Sequence, residues 1–403
     1  MSSSQFPLRQ CWTTIYALSR SPLSDDVLAL LTTGQRARIQ HVSIDLSATS
    51  EQIATQLKES GVVANYVFYF AYLSPKTDKS TMDPSTTDDL VEANVPPFKN
   101  FLNALPVAGI KPKRILLQTG GKNYGMHIGR VRTPLVESDP QPRHLAPNFY
   151  YHQEDILRSF CDSHPETSWN IVMPAAVIGA IQYASMNTFL FFGVYAAIQA
   201  HKKEPLRFGG NFDSWQFDAT HSTARLTGYL SEWAVLEEKC QNQAFNAQDG
   251  GLLSWDRFFH ELGRWFGVES IIGLEEDESS KYVAQKSTGG KEAPLGYGPP
   301  LVLNLSHPLV QWAEKPPTAK TWEEIMKQSN GQLTKNMFEG DFQDVFMGDF
   351  AFLPFGTLSM NKARQFGFCG FVDTLESIFE MFQETEKLGI PPPMKVDAAR
   401  PLV

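Results

Sequence analysis

A doubly wound α/β sheet is predicted by three features of the sequence. Five short apolar segments alternate with segments of helical period over the first 180 residues. These strand-like segments are apolar almost throughout, as strands covered by helices on both faces must be. Beyond about Gly179 the pattern changes to helical segments separated by Gly- and Pro-rich loops. The expected architecture is a Rossmann-like core over residues 1–180, interleaved with a smaller, mostly helical substrate-binding part over 181–403.

The elements follow in order. Thr14–Leu18 reads as a buried strand ending at Ser19-Arg20-Ser21-Pro22. Val42–Leu46 is the second strand. Ser50–Glu59 has helical spacing, with Ile53 and Leu57 on one face. Tyr66–Tyr72 is aromatic and β-branched, the composition of a third strand. Ser80–Asp89 is polar and punctuated by proline, a loop before a helix around Val95–Ala104. Ile115–Gln118 is the fourth strand, a helix follows Tyr151, and Trp169–Met173 is a fifth strand stopped by Pro174. Helices are expected near Asn187–Ala200, Arg225–Glu238, Ser254–Phe266 and Thr374–Glu386, and a long loop at Ser287–Pro300. The cluster Trp255, Phe258, Phe259, Trp265 and Phe266 has helical spacing and reads as core.

Composition narrows the function. The 403 residues carry a formal charge of −9, which disfavours a nucleic-acid partner, since phosphate binding needs a basic face. Cys11, Cys161, Cys240 and Cys369 stand far apart, without the spacing of a zinc site or disulfide framework. The start, Met1-Ser2-Ser3-Ser4-Gln5, lacks the apolar stretch of a secretory signal. The apolar run at Thr188–Ile198 is shorter than the ~20 residues a membrane span needs. A cytoplasmic protein that meets a small molecule, not a membrane, is expected.

In a doubly wound sheet, ligands sit beyond the carboxyl ends of the strands. Arg20 follows the first strand, where a cation suits the 2′-phosphate of NADP; it reads equally as an ordinary surface arginine. Asp45, at the end of the second strand, reads as an adenine contact or as a turn residue. Lys122 follows Gln118-Thr119-Gly120-Gly121 at the end of the fourth strand, and Tyr151 lies in Asn148-Phe149-Tyr150-Tyr151-His152-Gln153-Glu154-Asp155 at the start of a helix. Hydride delivery to a carbonyl or enone creates oxyanion character, which a tyrosine hydroxyl and an ammonium can stabilise. Lys122 and Tyr151 are therefore the expected catalytic pair, with Tyr150 as the fallback. Gly120-Gly121-Lys122 lacks the rest of a P-loop, and neither an HExxH nor a GxSxG pattern occurs.

These motifs resemble the progesterone 5β-reductase/iridoid synthase-like family of atypical short-chain dehydrogenases/reductases. Further landmarks are Tyr195-Ala196-Ala197-Ile198, Arg207-Phe208-x-Gly210, Ala244-Phe245-Asn246, Trp255, Ser359-Met360-Asn361-Lys362 and Gly367-Phe368-x-Gly370-Phe371. The resemblance implies an NADPH-dependent reductase of an activated enone or carbonyl in a small, specialised-metabolite substrate. Tyr151 and Lys122 would stabilise the enolate. It implies cofactor contacts at Arg20, Ser21, Asp45, Leu46, Ala71, Tyr72, Gln118, Tyr151, Val177, Ala184, Ser185 and Met186. A homodimer is one assembly consistent with it.

Three departures shape the expectation. Ser21 stands where the family has a second arginine, and Met173-Pro174-Ala175 replaces Arg-Pro-Gly. The family's first strand, glycine-rich turn and first helix have no counterpart before Trp12, so NADP binding is expected to be weak or lost. The strand at Thr14–Leu18 is then expected to pair directly with Tyr66–Tyr72, with the polar N-terminus outside the sheet. The alternative function is a cofactor-independent isomerase or cyclase, or a non-catalytic pseudo-reductase.

Overall fold

A computed structural model describes residues 12–75, 84–181, 187, 189–274, 281–340 and 346–401. Its centre is a parallel sheet of four strands in the order β3 (Tyr66–Tyr69), β4 (Arg114–Gln118), β5 (Ser168–Pro174) and β9 (Gln243–Ala247). A second parallel pair is formed by β1 (Ile15–Ser19) and β2 (Ile39–Ser43). Short pairs join β6 (Val177–Ile178) to β8 (Ser222–Thr223) and β7 (Leu206–Arg207) to β10 (Ile271–Ile272). An antiparallel hairpin, β11 (Ala284–Thr288) and β12 (Leu301–Leu305), occupies part of the expected loop at Ser287–Pro300. The doubly wound α/β class expected from the alternation is the observed one.

The helices begin with α1 (Asp25–Ala29), α2 (Thr33–Arg36), α3 (Ser50–Glu59), α4 (Thr87–Val107) and α5 (Phe149–Ser163). They continue with α6 (Leu190–Lys202), α7 (Phe212–Gln216), α8 (Ala224–Leu236), α9 (Trp255–Phe266), α10 (Leu309–Ala313) and α11 (Pro316–Gln328). Two more span Asn361–Gln365 and Thr374–Lys387. The predicted α3 has the predicted bounds. Thr49 and Gln52 close its start as a reciprocal capping box.

Several expectations need correction. The helix around Val95–Ala104 is twice as long, because its prolines do not end it. Pro96, Pro97 and Pro106 lie inside α4, and the face of Leu90, Phe98, Phe101, Leu102 and Leu105 is buried. That burial offsets a cost of about 3 kcal/mol for an interior proline. The second strand starts three residues early, at Ile39, where polar Gln40 and His41 give no apolar signal. Strand β9 was not anticipated: its five residues are too few for a periodicity.

The expected pairing of Thr14–Leu18 with Tyr66–Tyr72 is absent. Among the described strands β1 bonds only to β2, and β3 only to β4. Side chains join the two sheets instead. Tyr16, Leu18, Val42 and Ile44 share one apolar cluster with Val67, Tyr69 and Ile115. The indole of Trp12 meets Tyr66 and Phe68 edge-on, with centroids 5.3 and 5.8 Å away, and donates to Glu232 of α8 at 2.8 Å. Strand β1 is exposed or half-buried along its length, so its free edge can bond to water and needs no ladder. Residues 1–11, where the polar N-terminus was expected, lie outside the described residues.

The helical part has its own core. Phe258 of α9 is fully buried and packs against Phe189, Phe192, Trp255, Phe259 and Trp265, with centroids 5.1–6.2 Å apart. The aromatic cluster read as core is core. Truncating such a ring leaves a cavity that its rigid neighbours cannot fill. Phe258→Ala should destabilise the protein by about 3–5 kcal/mol. Phe371, 56% exposed, should change by less than about 0.5 kcal/mol as Phe371→Ala. Denaturant unfolding of both variants checks this.

Candidate functional site

The carboxyl ends of β3, β4 and β5 meet the start of α5. Gly120 makes this approach possible. A Cβ there would lie 3.1 Å from the Pro174 carbonyl and 3.4 Å from Tyr150 Oη. A side chain at Gly120 would therefore crowd the Pro174 carbonyl and come into contact with the Tyr150 ring and hydroxyl. Beyond it, the short 3₁₀ turn Gly121–Tyr124 carries Lys122.

Asn148 joins the two candidate motifs. Its Oδ1 accepts from Tyr150 N at 3.0 Å, capping α5, while its Nδ2 donates to the Lys122 carbonyl at 2.9 Å. One side chain thus sets the start of the tyrosine helix against the lysine turn. Sequence reasoning did not single out Asn148, although an Asn just before a helical segment is a recognisable N-cap.

The two tyrosines face different surroundings. Tyr150 packs on Phe149 at 4.4 Å, and Phe149 on Tyr72 at 6.0 Å. Burial raises the Tyr150 phenol well above its ordinary range, and neighbouring Tyr72 adds to the rise. Tyr151 is 3% exposed and lies beneath the guanidinium of Arg143, 5.3 Å from its ring. Burial pushes it up to about 12, opposed by its hydrogen bond with Asn148 and by Arg143. Arg143 is in turn gripped by Asp155 at 2.7 and 2.8 Å. The hydroxyl at the strand ends is therefore that of Tyr150, while Tyr151 belongs to the packing beneath the Gln141–Asn148 loop.

Burial lowers the Lys122 ammonium from its ordinary value. Burial and the charge of Lys122 together push His127 down to about 4. Behind the lysine turn, Tyr124 donates to Asn246 Oδ1 at 2.7 Å, and Asn246 Nδ2 donates to the carbonyls of Leu135 and Ser359 at 3.1 Å each. Ala175 N donates to Ser222 Oγ at 2.9 Å, which donates to the Ala247 carbonyl at 2.6 Å. These bonds tie the ends of β5 and β9 and the segment after Lys122 into one frame.

The remaining candidates fall into two groups. Arg20, Ser21, Asp45 and Leu46 gather at the carboxyl ends of β1 and β2. Ser43 Oγ donates to the Arg20 carbonyl at 3.1 Å, and Arg20 and Ser21 are exposed. Asp45 is held low chiefly by hydrogen bonds from Ser47, with Arg20 contributing; it is a turn residue as well as a candidate contact. Ala71, Tyr72, Gln118 and Val177 stand at the ends of β3, β4 and β5 and in β6. Tyr72 is 40% and Val177 41% exposed, and Tyr72 lies near Tyr150. Ala184, Ser185 and Met186 lie outside the described residues. Among the described residues no cluster of His, Cys, Asp and Glu is arranged for a metal, and no helix is long and apolar enough to cross a membrane.

Comparison with known proteins agrees with this fold. The chain is 30% identical over 336 residues to an (S)-8-oxocitronellyl enol synthase of Camptotheca acuminata, covering 79% of this chain and 77% of the relative. It is 27% identical over 360 residues to the 3-oxo-Δ4,5-steroid 5β-reductase of Arabidopsis thaliana, covering 88% and 81%. In fold it is similar to the Bordetella bronchiseptica enzyme WbmG, solved with NAD and UDP, at a TM-score of 0.50, 14% identity and 94% and 87% coverage. Residues 3–287 match the PRISE-like Rossmann-fold domain. The chain belongs to that family, as an oxidoreductase of the short-chain dehydrogenase/reductase type.

Proposed function

We propose that this protein reduces an activated enone or carbonyl of a small molecule with NADPH, using Tyr150 and Lys122. The observation that carries the reading is the position of Tyr150 Oη against Gly120 and the Pro174 carbonyl, with Asn148 tying it to the Lys122 turn. When bound, the nicotinamide supplies the hydride. The residues supply the rest. A phenol raised by burial keeps its proton at neutral pH and can donate it toward the substrate oxygen. The Lys122 ammonium, partly stripped of water, favours negative charge on that oxygen. Tyr151, the tyrosine first expected from the motif, supports the helix start under this reading.

The described residues fit both ends of a dinucleotide. Exposed Arg20, with the hydroxyl of Ser21, suits a 2′-phosphate. Tyr72 offers an apolar face near Tyr150. A cofactor-independent isomerase or cyclase is the second reading, favoured by Ser21 standing where the resembling family has a second arginine, which leaves a 2′-phosphate one cation.

Three outcomes are expected. Tyr150→Phe should lower kcat by about 10²–10⁴-fold in assays of NADPH oxidation with an enone panel. Tyr151→Phe should leave kcat within a few-fold. The reverse ranking would return the role to Tyr151. Asn148→Ala should cost about 1 kcal/mol of stability and up to ~10²-fold in kcat/KM through misplacement of the pair; equal kcat/KM in the variant would remove Asn148 from the site. Isothermal titration should find NADPH binding weaker than low-micromolar. Tighter binding would mean that other residues hold the phosphates, and turnover of an enone without NADPH would establish the second reading.

A further inference from the structure

A recess of about 290 Å³ lies in the helical part. Its walls are the carboxyl-terminal end of α6 (Gln199, Lys202), β7 (Arg207), His307, Trp312 of α10 and the first turn of α11. None of these elements carries Lys122, Tyr150 or another candidate cofactor contact. The recess is at the small end of ligand pockets, which run from about 300 to 1,000 Å³. It suits a small acid better than a nucleotide.

Its polar groups are not balanced. Lys202 is neutralised by Glu204 at 2.7 Å. Arg207 and Lys315 have no ion-pair partner among the described residues. Both are close enough to His307 to help burial push its imidazole down to about 4. His307 Nε2 is buried without a hydrogen-bond partner. At the other wall Gln199 is 5% exposed. Its Nε2 donates to the Pro205 carbonyl at 2.8 Å, while its Oε1 has no donor. Buried polar groups left unpaired each cost about 1–3 kcal/mol. The start of the 13-residue α11, at Lys315–Pro316, adds the positive end of a helix dipole.

We propose that this recess binds a small oxyanion that also carries a hydroxyl, either hydrogen phosphate or a hydroxycarboxylate. Arg207 and Lys315 take the oxyanion, the guanidinium offering its paired donors. The ligand hydroxyl donates to Gln199 Oε1, and His307 Nε2 lies beside the same ligand. Buried Trp312 and Tyr195, 4.7 Å apart, form the closed floor. The site is independent of the hydride reading, because it shares no residue with it.

The test is titration calorimetry of the full chain at fixed ionic strength with three probes: inorganic phosphate, lactate and sulfate. Saturable one-site binding of phosphate or lactate is expected, and the tighter probe identifies the source. Sulfate, which lacks a hydroxyl hydrogen at neutral pH, should bind several-fold more weakly. The double variant Arg207→Gln/Lys315→Gln should weaken binding by at least about tenfold with an unchanged melting temperature. If that variant does not fold, the His307 ring resonances of the wild type decide instead, and they should move with phosphate or lactate occupancy. No saturable binding, equal binding by the folded double variant, equal binding of sulfate, or His307 resonances that stay fixed would each overturn the proposal.

Discussion

The site depends on one side chain accepting from a helix and donating to a turn. Asn148 caps α5 through Tyr150 N and holds the Lys122 carbonyl. Neither group could be placed by its own element alone. The lysine sits on a short 3₁₀ turn, a conformation with poor internal bonding. The tyrosine sits in the first helical turn, where amide groups lack helical partners. A single amide answers both needs, so one side chain holds the backbones of the two candidate segments against each other.

That bracket is effective because its surroundings are rigid. The turn is backed by Tyr124 on Asn246, and Asn246 is bonded to Leu135 and Ser359. Ser222 relays the end of β5 to the end of β9. At the opposite end of the strands, Arg114 donates to Asn170 and to the Ala234 carbonyl, binding β4, β5 and α8 where the sheet begins. Buried polar networks of this kind favour one arrangement when their members are satisfied. Burial of the same region raises the Tyr150 phenol above its ordinary value and lowers the Lys122 ammonium below its own.

The helical part obeys a different rule. Its stability comes from aromatic packing around α6 and α9, where Phe192 touches Trp255, Phe258, Phe259 and Phe352. Strand β9 lies between its helices in sequence and completes the sheet in space, so the two regions share a frame. Its recess at Arg207, Lys315 and Gln199 shares no lining residue with the candidate site at the strand ends.

The sequence by itself determined the class of fold, the strands β3, β4 and β5, helix α3 and the aromatic face of α9, because each carries a run of apolar or aromatic residues or a helical spacing that a local reading catches. It also pointed to the two candidate motifs around Lys122 and Tyr151. Tertiary structure decided the rest. Two adjacent tyrosines in a first helical turn point about 100° apart, and only the positions of Gly120 and Arg143 say which one faces the strand ends. The continuation of α4 through three prolines reflects burial of its apolar face, which no local propensity contains. The joining of the β1–β2 pair to β3 by side chains alone includes contacts of Trp12 with Tyr66, Phe68 and Glu232. These partners lie 54 or more positions away in the chain, beyond the reach of any local pattern.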